Sequence, residues 1–75
     1  MKLPVVSSEK VVKALGKIGF EPDHQKGSHL VLRKTVSPFT RIVVPKRNPL
    51  PKGTLRAIIR QAGLNRDEFI ELLKQ

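Results

Sequence analysis

The chain has 75 residues, no cysteine and a formal net charge of +9, from 15 Lys and Arg against 6 Asp and Glu. So short a chain buries only about 60% of its unfolded surface, which leaves room for one core over residues 1–75 and none for a second domain. Without cysteine, disulfides and a thiolate metal cage are excluded, and a pI near 10.8 favours a polyanionic partner, nucleic acid first and an acidic protein second.

Met1 to Val6 is expected to be an extended lead-in, with Pro4 preventing an early helix. Its apolar run is too short for a signal peptide or a membrane span, so a soluble cytoplasmic protein with no membrane partner is expected. Ser7 or Ser8 then caps a helix. Val11, Leu15 and Ile18, with Val12 beside them, recur at helical period, while Lys10, Lys13 and Lys17 take the outer face. This spacing predicts a helix from Ser8 to Ile18 that Gly19 stops. Gly16 inside it costs about 1 kcal/mol relative to alanine, which suggests close packing.

From Phe20 to Lys26 the pattern becomes extended, and Pro22 within it is tolerated only on an edge strand or at a bulge, so an edge strand is expected. Lys26-Gly27 supplies a tight turn. Ser28 to Lys34 then alternates, with Leu30 and Leu32 on one side and His29, Val31 and Arg33 on the other. A loop around Val36-Ser37-Pro38-Phe39 leads to the β-branched strand Arg41 to Pro45, completing an antiparallel meander. Lys46 to Lys52, with Pro49 and Pro51, reads as an ordered loop. Thr54 can cap a second helix whose Leu55, Ile58, Ile59 and Ala62 face the sheet, and Gly63 ends it. Asn65 with Glu68 forms a capping box and Leu64 with Phe69 a hydrophobic staple. A short last helix follows, burying Phe69, Ile70, Leu72 and Leu73.

The charge is unevenly distributed. Between Asp23 and Asp67 there is no acidic residue, while Lys26, Arg33, Lys34, Arg41, Lys46, Arg47, Lys52, Arg56, Arg60 and Arg66 all lie there. Such a block reads as a footprint for phosphates, although a merely soluble basic surface would have the same composition. Lys52, Arg56 and Arg60, four residues apart, form a stripe along the second helix and its entrance.

The reactive inventory is thin. His24 and His29 are five apart without clustered carboxylates, which matches no usual metal spacing, and Ser28 adjoins His29 too closely in sequence for a hydrolytic triad. A lone histidine among cations suffices for one reaction on RNA: a general base takes the 2′-hydroxyl proton, the oxygen attacks the adjacent phosphorus, and Lys or Arg stabilises the added charge. No metal or other cofactor is required. A histidine titrating near ~6.5 is largely neutral at pH 7, as a base must be. On this reading His29 is the base, Lys26 and Arg33 contact the scissile phosphate, Gly27 makes the turn and Ser28 positions the phosphate. The plainer reading is that His29 hydrogen-bonds across the sheet. His24 could protonate the leaving 5′-oxygen if the turn folds it back near His29; otherwise it is an exposed strand residue or a phosphate contact.

Gly27-Ser28-His29 followed by Leu30-Val31-Leu32 resembles the HicA, or YcfA-like, family of messenger-RNA interferase toxins. Gly19-Phe20, Gln25-Lys26, Val43-Val44-Pro45, Lys52-Gly53-Thr54-Leu55, Gln61-Ala62-Gly63-Leu64 and Glu68-Phe69 extend the similarity in order over residues 8 to 73. The combination is specific where Gly-Ser-His alone is weak. The resemblance implies an α+β fold, αβββα and similar to a double-stranded-RNA-binding domain, with helices on one face of the meander and an appended C-terminal helix. It implies a toxin of a type II toxin–antitoxin system, an endoribonuclease cutting mRNA through His29, and a HicB-type antitoxin partner that masks His29. Many relatives carry a histidine soon after the Val-Pro of the third strand; here Lys46 and Arg47 stand there, able to bind phosphate but not to shuttle a proton at neutral pH. A non-catalytic RNA-binding module of the same fold, or a protein-binding adaptor, would carry the same charge.

Overall fold

The first helix begins where a serine satisfies a free backbone donor. In the computed structural model, which describes residues 3–37 and 39–75, the Ser7 hydroxyl accepts from the Lys10 N–H at 3.3 Å and caps α1, Ser8–Gly16. Val11, Ala14 and Leu15 share its buried face. α1 ends two residues before Ile18, because the N–H groups of Lys17, Ile18 and Gly19 bond back to Ala14, Leu15 and Gly16, tightening the last turn, and Gly19 leaves at φ +98°. The close packing anticipated at Gly16 is absent: this residue is exposed, and a Cβ there would meet nothing within 4 Å. Met1 and Lys2 of the lead-in, and Pro38 of the expected loop, lie outside the described residues.

Three strands follow, β1 (Phe20–Lys26), β2 (His29–Lys34) and β3 (Arg41–Pro45), paired antiparallel in the order β1-β2-β3. The β1–β2 turn is Gly27-Ser28, one residue later than Lys26-Gly27, so β2 starts at His29 rather than Ser28. Gly27 has φ +60° and no non-glycine among the described residues has positive φ, Ser28 included, the II′ pattern that two-residue hairpins favour. β1 is an edge strand, and its pairing register shifts between Pro22 and His24. The edge strand expected from Pro22 is present, and the register shift adds a bulge to it.

α2 spans Lys52–Gln61 and starts before Thr54, which does not cap it: Pro51 is the N-cap, with no side-chain hydrogen bond, and its carbonyl accepts from Leu55 N–H at 2.9 Å. The cause is Leu50, which is buried in the core and donates its N–H to the Val6 carbonyl at 2.9 Å, delivering the chain to a helical start directly after it. Gly63, at φ +76°, follows the C-cap residue Ala62. α3, Arg66–Lys74, has the full capping box: Glu68 N–H to Asn65 Oδ1 at 2.7 Å and Asn65 N–H to Glu68 Oε1 at 2.8 Å. Leu64 and Phe69 both join the core, as a staple requires. At the far end of α3 the Lys17 ammonium donates to the carbonyls of Leu72 and Gln75, placing a cation on the negative end of that helix.

One core holds these elements together. Phe20, Leu32, Ile42 and Val44 from the inner face of the sheet pack with Val11, Leu15, Leu55, Ile58 and Phe69 from all three helices. The architecture is α+β, the αβββα order of a double-stranded-RNA-binding domain with α3 appended. No helix among the described residues is long and apolar enough to cross a membrane. Because every helix packs on one side, the other face of the sheet is left uncovered by the described residues, and Val43 on it is 48% exposed.

Candidate active site

Cross-strand register decides what this open face presents, since directly paired residues project to the same side. Its rows across β1, β2 and β3 are Lys26–His29–Pro45, His24–Val31–Val43 and Glu21–Arg33–Arg41. The alternation expected in β2 holds: Leu32 is buried, and His29 is exposed on the open face.

The first row is held by the hairpin. Lys26 and His29 flank the Gly27-Ser28 turn as partners, and the Ser28 carbonyl accepts from Lys46 N–H at 2.6 Å, tying the end of β3 to the turn. Arg47 is fixed beside it: its carbonyl accepts from Ser8 N–H at 2.9 Å, and its own N–H donates to the Ser8 hydroxyl at 3.3 Å. Lys26, Gly27, Ser28, His29, Lys46 and Arg47 thus lie at one end of the sheet, Lys26 and His29 on its open face and Lys46 and Arg47 lining clefts with Ser8 and Glu9 of α1. Lys26, His29, Lys46 and Arg47 are all exposed.

The second row depends on the bulge. Phe20 and Pro22 pair with the inward residues Lys34 and Leu32, so an unbroken strand would point His24 inward as well. With Asp23 as the extra residue, His24 pairs with Val31 and joins the open face. Asp23 and His24, neighbours in sequence, consequently share a side, and Asp23 Oδ2 lies 3.1 Å from His24 Nδ1. Asp23 was not among the residues singled out from the sequence. Pro22 was the available signal, because the bulge it marks puts two successive side chains on one face.

Arg33 is not brought to the hairpin end. It lies four positions along β2 from His29, about 13 Å of extended strand, and pairs with Glu21 and Arg41. A contact of Lys26 and Arg33 with one phosphate would have to span that separation, and Arg33 shares its row with Arg41 rather than with His29. Lys52, Arg56 and Arg60 are exposed on α2, on the helical side of the sheet. Arg56 and Arg60 line a concavity of about 740 Å³ with Arg66 between α2 and α3, apart from the histidines.

Two imidazoles and a lysine on a flat, open, basic face suit an extended polyanion better than an enclosed small molecule. The model of a family described as "HicA toxin of bacterial toxin-antitoxin" matches residues 8–64, more than half of the chain, from α1 through α2 to Leu64. No curated protein matches the chain.

Proposed function

The chain belongs to the HicA toxin family of bacterial toxin–antitoxin systems, and from that membership we propose that it is a metal-independent endoribonuclease that cuts mRNA with His29 as general base. The observation that carries the reading is the cross-strand pairing of Lys26 with His29 on the open face, which sets an imidazole and an ammonium in one row at the hairpin turn. His29 takes the 2′-hydroxyl proton, and O2′ attacks the neighbouring phosphorus. The Lys26 ammonium stabilises the charge that accumulates on the phosphoryl oxygens. The products are a 2′,3′-cyclic phosphate and a 5′-hydroxyl.

Ser28 at the turn binds the phosphate flanking the cut, and Lys46 and Arg47, beside α1 at the same end of the sheet, add attachment beyond it. Arg33 and Arg41 hold the strand further along, and Lys52, Arg56 and Arg60 add distant electrostatic attachment. The antitoxin of the pair is a HicB-like protein that inhibits by covering the open face and His29. The cytoplasm, where mRNA is exposed, is the compartment of action.

RNA incubated with the purified protein in EDTA should yield 2′,3′-cyclic phosphate ends, and His29→Ala should abolish cleavage while retaining most RNA binding. Undiminished cleavage by His29→Ala, or cleavage of a substrate with 2′-deoxyribose at the cut site, sinks this mechanism.

A further inference from the structure

A base at His29 leaves the departing 5′-oxygen without a proton donor, and the open face carries one other titratable ring. Resting on the ribonuclease reading above, we propose that Asp23 and His24, carried together on the β1 bulge, form the acid half of the site, with His24 as proton donor and Asp23 as its positioning residue.

Three features of the fold converge on this pair. The bulge removes His24 from the inner face, where Phe20 and Pro22 lie, and sets it opposite Val31. Val31 is two residues from His29 on the same strand, so His24 and His29 are diagonal neighbours, a relationship that separates positions by about 7–8 Å. Two imidazoles at that spacing can address opposite ends of one phosphodiester, with Lys26 opposite His29. The third feature is the Asp23–His24 contact of 3.1 Å. The Asp23 side chain is 27% exposed against 54% for His24, so the carboxylate sits lower and the ring stands at the surface. A carboxylate on Nδ1 keeps that nitrogen protonated and leaves Nε2 to face the substrate.

An acidic side chain on a face meant for phosphates weakens binding by repulsion. Glu21, the other acid on this face, is paired across the strands with Arg33. Asp23 is instead engaged with a histidine.

The step balances without a further reactant. As O2′ bonds to phosphorus and His29 accepts its proton, the P–O5′ bond breaks and O5′ takes the proton from His24 Nε2. The enzyme is left with His29 protonated and His24 neutral, and exchange with water restores both.

The test compares two oligoribonucleotides spanning a cut site mapped with the native protein, one with the natural 5′-oxygen at that site and one with a bridging 5′-sulfur, whose thiolate departs without a proton. Single-turnover rates are measured in EDTA. On the oxygen substrate His24→Ala and His24→Gln should lose about 10²-fold or more, the usual contribution of general acid catalysis, and Asp23→Ala about 10-fold or more, as for a group that orients another. On the sulfur substrate all three should run within about threefold of the native protein, since the step they serve is no longer needed. A purely structural role would give the same deficit on both. Equal losses of His24→Ala and His24→Gln on the two substrates, or no loss on either, overturn the proposal. His29→Ala is read separately: impaired on both substrates it upholds the base, and native rates on both would overturn the parent reading instead.

Discussion

Lys26 and His29 are cross-strand partners that close the β1–β2 hairpin, with the Gly27-Ser28 turn between them and both positions on the uncovered face of the sheet. Removing the ammonium takes away one charge-stabilising donor without touching the core. Lys26→Ala should lower the single-turnover cleavage rate by about 10²-fold, the scale of losing one such donor, with no change in the unfolding midpoint. Lys26→Arg should retain more activity than Lys26→Ala. A native rate for Lys26→Ala would remove Lys26 from the site.

Two glycines should respond in opposite ways to alanine. Gly27 has φ +60°, where a Cβ is strained whatever the free space, so Gly27→Ala should destabilise by about 1–2 kcal/mol and loosen the turn that sets His29 against Lys26. Gly16 is helical and open, and Gly16→Ala should stabilise by about 0.5–1 kcal/mol. Urea titrations of both variants check this. A stabilised Gly27→Ala would contradict the turn geometry.

The α2 stripe and the histidines occupy different sides of the sheet, so binding and chemistry should separate. Arg56→Ala with Arg60→Ala should weaken attachment of a long RNA and lower the dependence of log K on log salt by about 0.7 for each lost phosphate contact. Cleavage of an oligonucleotide only long enough to cover the open face should keep its rate. An equal loss on the short substrate would mean that RNA contacts both sides at once near the cut.

α3 begins beyond the last residue of the family match, yet Phe69 within it is fully buried in the common core. Phe69→Ala should cost about 3–5 kcal/mol, comparable to the whole stability of a domain this small, and leave the protein largely unfolded by circular dichroism. Phe69→Leu should cost less and fold. A native-like Phe69→Ala would show that α3 is dispensable.

Most of the fold was legible because its signals are local. The helical stripe of Val11 and Leu15, the Asn65–Glu68 box with its Leu64–Phe69 staple, and the alternation from His29 to Arg33 each involve residues within a turn or two of one another. Thr54 was a reasonable cap by the same logic. It lost to Leu50, whose burial and hydrogen bond to Val6 depend on a segment more than forty residues away.

Residue identity alone determined that this chain carries a strong basic charge, three helices with a three-stranded meander, and a histidine just past a glycine turn. The tertiary structure decided which side chains meet. A strand's faces alternate with period two, so a single extra residue exchanges them. Pro22 was read as the mark of an edge strand, and only the pairing of β1 with β2 identified Asp23 as an extra residue. That pairing carried His24 from the core side to the open face and put its ring beside a carboxylate, diagonal to His29. The same pairing set Arg33 four residues of extended strand away from His29, in a row with Glu21 and Arg41.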